Sequence, residues 1–187
     1  MKSNSFLLGK RMASEKVSIY ENKNFTLEFK LKYLNFYHEI YYLRKRKIFD
    51  LILSNVKKHT NTYLKKKKLN LSILLTNDAE IKEINFKYRN LNKPTNVLSF
   101  RSKINENNYF KNTENEIHLG EIIISMEKIF SESKKNKIMF KDHFIHIFLH
   151  AMLHILGYDH ETRNERKKME NIEISVLKNL GIQNPYV

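Results

Sequence analysis

Between residues 25 and 34, apolar and polar side chains alternate. Phe25, Leu27, Phe29, Leu31 and Tyr33 fall on one side, and Thr26, Glu28, Lys30 and Lys32 on the other. A period of two predicts a half-buried strand. Over 43–64 the period changes: Ile48, Leu51, Ile52, Val56 and Tyr63 recur at helical spacing, which predicts an amphipathic helix between the basic clusters 44–47 and 65–68. The apolar run 69–76 reads as a strand feeding straight into a helix. Asn77 is a candidate N-cap with Glu80 three positions later, and the turn chemistry of 90–94 should end that helix near Arg89. Residues 95–100 and 117–125 predict two further strands around a polar loop rich in Asn and Glu. Helices follow over about 125–137, 140–156 and 161–180, the last two stopped by Gly157 and Gly181. No repeat is visible at periods of twenty to fifty residues. Residues 1–24 lack apolar periodicity and read as a basic, mobile extension. Residues 25–187 read as one α+β domain, a small mixed sheet of about four strands packed with about five helices.

Composition narrows the class. With 41% apolar and 12% aromatic residues in 187, the chain can bury one core. It has no run of eighteen apolar residues and no secretory pattern at its start, so the expectation is a soluble, cytoplasmic protein with no membrane partner. An organelle-targeting start is the weaker alternative, because Glu15 and Glu21 interrupt the basic run. Cys is absent, which removes disulfides, thiolate nucleophiles and thiolate metal sites; any metal must be held by His, Asp or Glu. The net charge is +14, and residues 1–70 carry +12 of it. Such an excess points to a polyanion, with Lys65, Lys66, Lys67 and Lys68 as the candidate RNA contacts. The competing explanation is coding bias, since 27 Lys accompany only 7 Arg, with 22 Asn and 20 Ile.

Eight histidines are present, and the informative ones lie in His150-Ala-Met-Leu-His154-Ile-Leu-Gly157-Tyr-Asp-His160. Residues four apart on a helix share a face, so His150 and His154 can both present a ring nitrogen to one ion at about 2.0 to 2.1 Å. Gly157 can end the helix at positive φ and let the chain bring His160 back as a third ligand. Three imidazoles leave a fourth position open, as in a catalytic zinc site. The alternative is a pair of partly buried rings satisfied by backbone or carboxylate. Metzincin peptidases share this spacing, but there the residue after the first His is the Glu base, and here it is Ala151. The pattern therefore argues for metal and against proteolysis. His146, on the same helical stripe, is a candidate to orient the ligand rings from behind or to touch substrate, with a structural histidine beside the helix bundle as the competing reading. Asp159 is a candidate to accept from a ligand ring, with a solvated turn residue as its alternative. His143 shares that stripe as well.

These residues carry a family resemblance. The run 150–160, Tyr88-Arg89, the stretch Lys93-Pro94-Thr95-Asn96-Val97-Leu98-Ser99-Phe100, Leu119-Gly120-Glu121-Ile122 and the C-terminal Leu180-Gly181 and Asn184-Pro185-Tyr186 together resemble the YbeY family. That family comprises bacterial zinc-dependent endoribonucleases of small-subunit rRNA maturation and ribosome quality control. The motifs span 69–187, and the order of elements extends the likeness back to Phe25. The resemblance implies metal ligands at His150, His154 and His160, one Zn2+ per chain, and a functional arginine at Arg89. It also implies single-stranded RNA, precursor small-subunit (16S) rRNA and ribosomal particles as partners, with 3′-end maturation as the role. Oligomeric state is left open. Departures are Ala151 for the usual Gly, Arg101 for the usual Pro, and the longer basic N-terminus.

The chemistry fits the residues. A three-His zinc lowers its water's pKa toward 7, which compensates for the missing Glu. A guanidinium can hold a phosphate by two parallel hydrogen bonds where an ammonium offers a point charge, which suits Arg89 to phosphoryl recognition. The bland role for Arg89 is a cation at a helix C-terminus. Two alternatives stand beside the nuclease: a zinc-containing ribosome-assembly factor without catalysis, and a metal-dependent hydrolase of another substrate.

Overall fold

Strands β1 (Lys16–Glu21) and β2 (Phe25–Leu31) form an antiparallel hairpin in a structure that, as a computed structural model, describes residues 16–32, 48–59, 62–103 and 115–186. Asn22 makes the turn, its side-chain oxygen accepting from the backbone N–H groups of Asn24 and Phe25, both at 2.8 Å. Residues 16–21, expected within the mobile extension, are thus an edge strand. The physical reason is one anchoring residue: the Tyr20 ring packs 5.6 Å from Phe49, and its hydroxyl donates to Asp50. The rest of the proposed extension, 1–15, lies outside the described residues.

Strand β3 (Lys68–Thr76) runs parallel to β2 on one side and to β5 (Glu116–Ser125) on the other. The short β4 (Val97–Arg101) closes the sheet antiparallel to β5, giving the order β1-β2-β3-β5-β4. The mixed sheet therefore has five strands among the described residues; the one not anticipated is β1. Helix α1 (Ile48–Lys58) and the single turn α2 (Thr62–Lys65) replace the continuous helix expected over 43–64. Residues 33–34, 43–47, 60–61 and most of the polar loop, 104–114, lie outside the described residues.

The buried residues of β3 alternate along one face, while Lys68, Asn70, Ser72 and Leu74 on the other face are half-buried. Leu69, Leu71, Ile73 and Leu75 join Ile122 and Ile124 of β5 in the main core, under α1, α5 (Phe140–Ile155) and α6 (Arg163–Asn179). Ile123 faces the other way, into a second cluster with Leu98 and with Ile81 of α3 (Asp78–Arg89). Helix α4 (Met126–Lys135) follows β5 directly, Ser125 accepting from Lys128 N–H as its cap. Helix α5 is apolar nearly all round and is the central helix of the core, with Phe148 meeting Phe49 edge-on at 5.5 Å.

Two local devices set the walls of what becomes the site. Helix α3 is fixed at both ends, by Asn77, which accepts from Glu80 N–H at 2.9 Å, and by Asn90 in the left-handed region at φ 57°. Gly120, at φ +144°, lets β4 close on β5, since a Cβ there would stand 2.1 Å from the Phe100 carbonyl oxygen. Among the described residues no helix is long and apolar enough to cross a membrane.

Candidate metal centre and catalytic pocket

Helix α5 carries His143, His146, His150 and His154 along one stripe and ends as its sequence predicts. Gly157 N–H bonds to the His154 carbonyl at 2.9 Å and Tyr158 N–H to the Leu153 carbonyl at 3.0 Å, with Gly157 at φ +91°. These are the two bonds of a Schellman cap, which turns the chain back over the helix end. His160 returns with it. The ligand nitrogens of His150, His154 and His160 lie within 4.8 Å of one another, and the ring centroids are separated by 4.6, 5.5 and 5.0 Å.

Hydrogen bonding fixes the tautomers of the helical pair. His154 Nδ1 lies 3.0 Å from the Tyr158 carbonyl oxygen, which can only accept, so this nitrogen carries the proton. His150 Nδ1 lies 2.9 Å from Glu173 Oε1. Burial alone would raise the Glu173 carboxyl's pKa, but the neighbouring His146 and His150 rings, the second hydrogen-bonded to it, outweigh burial and hold the group below its ordinary range. An ionised carboxylate also only accepts, and His150 is fixed in the same tautomer. Both Nε2 lone pairs then face each other across 3.1 Å. Two lone pairs at that distance repel unless a cation lies between them. Nitrogens bound at about 2.0–2.1 Å to a tetrahedral ion sit roughly 3.3–3.4 Å apart, so the spacing fits a metal with a small adjustment. The residues present suit such an ion. The His154 pKa is lowered by burial first and then by the neighbouring His150 and His160, so the ring stays neutral and ligating to more acid pH than an ordinary histidine.

Glu173 was not anticipated. It is 0% exposed on α6, at the apolar phase of Met169, Ile172, Val176 and Leu177. A lone carboxylate on an apolar stripe was the available signal. Its second oxygen accepts from the Tyr186 hydroxyl and lies 3.6 Å from His146 Nε2. His146 thus approaches the same carboxylate that His150 bonds. Asp159 does not orient His154: its oxygen is 3.9 Å from His154 Nδ1, beyond hydrogen-bond reach, because the Tyr158 carbonyl has taken that proton. Asp159 accepts instead from His160 N–H at 2.8 Å. His143 faces α4, bonding Glu132 at 2.8 Å.

The cluster opens into a pocket of roughly 340 Å³ whose lining includes Arg89, Asn96, Ser99 and Tyr186 beside the three histidines. Arg89 reaches it from the last position of α3. Asn85, 2% exposed, donates to the Lys93 carbonyl at 2.8 Å and pins the 90–96 loop that forms this wall. Lys65, Lys66, Lys67 and Lys68 are elsewhere. Lys68 opens β3 beside Glu116, six residues of β5 away from Ile122, whose partner Ser99 lines the pocket; at about 3.3 Å per residue that is about 20 Å. Lys68 is also ion-paired, to Glu21 and Glu116, which raise its pKa.

Residues 34–181 match the family described as Endoribonuclease YbeY. A protein of Anaplasma phagocytophilum (strain HZ) named Endoribonuclease YbeY is 42% identical to this chain over 117 residues, covering 63% of this chain and 71% of that protein. The solution structure of TM1509 from Thermotoga maritima is similar at 21% identity and a TM-score of 0.44, over 73% of this chain and 85% of that one.

Proposed function

This chain belongs to the YbeY family of endoribonucleases, and from that standing and the pocket's geometry we propose that it cleaves single-stranded RNA at the three-histidine centre, with zinc as the metal. Precursor small-subunit rRNA in assembling ribosomal particles is the proposed substrate, maturation of its 3′ end the role, and the cytoplasm, where those particles are, the compartment. The observation that carries the reading is the pair of proton-fixed imidazoles, His150 and His154, whose free nitrogens converge 3.1 Å apart in the pocket that also presents Arg89.

His150, His154 and His160 would hold the ion, which when bound supplies Lewis acidity to a phosphate oxygen or a water. The chain's own residues do the rest. Glu173 and the Tyr158 carbonyl keep the two helical rings in the ligating tautomer and orientation. Arg89 offers paired N–H donors to the non-bridging oxygens of a phosphodiester, where charge grows during cleavage. An assembly factor without catalysis would need no open pocket joining an arginine to the ligands.

The test is metal analysis of the purified protein beside cleavage of labelled single-stranded RNA, matched duplex and denatured casein, with and without chelator. The expected result is about one zinc per chain and chelator-sensitive cleavage of the single strand alone. Casein digestion lost in His154→Ala, with RNA intact, would overturn the proposal.

A further inference from the structure

We propose that the ring of Tyr88, backed by Phe100, is a stacking platform for one base of single-stranded RNA, next to the phosphate held at Arg89. This rests on the nuclease reading and adds to it the element that selects unpaired strands.

Helix α3 faces the sheet with Ile81, Ile84, Asn85 and Tyr88, a stripe at helical spacing. Its first and third members are buried, Ile81 at 0% and Asn85 at 2%. Tyr88 ends the same stripe yet is 60% exposed, in the last turn of the helix beside the edge strand β4. The ring is not loose. It leans on Phe100 with centroids 5.0 Å apart and planes at 58°, and Phe100 is itself packed against the buried cluster of Ile81, Leu98 and Ile123. A large aromatic surface held rigidly in water is what a base can use at little ordering cost.

Its neighbours carry the matching charge. Lys87 Nζ stands over the Tyr88 ring, 5.3 Å from its centroid, on a flexible side chain that an incoming base would displace toward its phosphate, and Arg89, the next residue, lines the catalytic pocket. The carboxylate in register with Phe100 is Glu121 on β5, which leaves the phosphate to the Lys87 and Arg89 side. Tyr88 itself does not line the pocket, so a strand gripped at Arg89 would place an adjacent base, not the scissile group, on the ring. A duplex keeps its bases stacked on one another and has no free face to offer.

The test uses the full chain. With zinc loaded, Tyr88→Ala should raise KM for a short single-stranded oligonucleotide about tenfold, with kcat within about twofold and metal content and thermal unfolding unchanged. Tyr88→Phe should behave as wild type, and Tyr88→Leu, apolar but without a π face, should behave as Tyr88→Ala. Because the chain has no Trp, Tyr88→Trp adds a single indole. In chelator, oligouridylate should quench its emission and duplex RNA should not. If all four proteins bind and cleave alike and the indole is not quenched, the platform is wrong while the nuclease reading stands. If wild type fails to cleave RNA, the nuclease reading falls, and the quenching alone decides whether RNA stacks on this ring.

Discussion

His150 and His154 sit on a helix whose remaining faces are buried, and each has its far nitrogen held by a partner the fold fixes, Glu173 or the Tyr158 carbonyl. His160 sits exposed beyond the helix end, and its backbone N–H bonds to the adjacent Asp159. The same chemical group is thus placed twice by packing and once by a turn. The lesson is that two of the candidate ligands are preorganised, whereas the third depends on how faithfully the Schellman cap holds its loop.

The largest expected effect breaks the helical side outright. His150→Ala should abolish metal binding and cleavage and also destabilise the fold by about 1–3 kcal/mol, since the buried Glu173 loses a donor. His160→Ala should lose metal with little change in unfolding, because the ring is exposed. Equal stability losses in denaturant titrations of the two proteins would erase the distinction. Next comes Glu173→Ala, which leaves all three ligands but frees His150 to turn; metal affinity measured by chelator competition should fall about 10- to 100-fold.

The turn is probed by Gly157→Ala. The residue sits at φ +91°, and a Cβ would approach Arg101 Nη1 to 2.8 Å. A cost of about 1–2 kcal/mol and weaker metal binding should follow. Adding Arg101→Ala should relieve the contact and leave the backbone strain. A smaller effect is pH dependence of the metal-free fold. Burial and the neighbouring histidines lower the His154 pKa, so from about pH 6.5 downward the unfolded chain takes up a proton that the folded one refuses. Stability should decline through that range and level off below the folded value, and His154→Gln should flatten the decline. Smallest is the remote lysine cluster: Lys65→Gln with Lys66→Gln should lower the salt slope of RNA binding by one or two contacts, without touching cleavage of bound substrate. Lys68→Gln should add little, being paired already.

Local rules made much of this legible. Asn77 with Glu80 and the 90–94 turn fixed the ends of α3, and with it the place of Arg89, because caps act within four residues. The clustering of the three histidines was readable for the same reason, His150 and His154 from helical phase and His160 from one glycine. What escaped depends on partners far along the chain. Strand β1 has a single buried anchor and is a strand only because β2 lies beside it. Glu173 stands out as a carboxylate on the apolar stripe of α6, but its partner does not, because His150 lies 23 residues away. Asp159 failed as a ring partner because a backbone carbonyl, invisible in side-chain patterns, was nearer.

The spacing of these parts also sets an order of assembly. His150, His154, His160 and Glu173 fall within one helical hairpin, 150–173, so only short loops close to form the ligand set. The wall that carries Arg89 must wait for the parallel pairings of Phe25 with Leu69 and of Leu69 with Ile117, 44 and 48 residues apart. Contacts of the first kind form in microseconds, and sheets dominated by the second kind are slow. Refolded with a metal indicator present, the chain should therefore take up its ion before it binds RNA. Until the sheet is complete, the apolar edges of β3 and β5 are unpaired and open to aggregation. An early ion would then serve as a folding staple, shortening the search by holding one half of the molecule in its final shape.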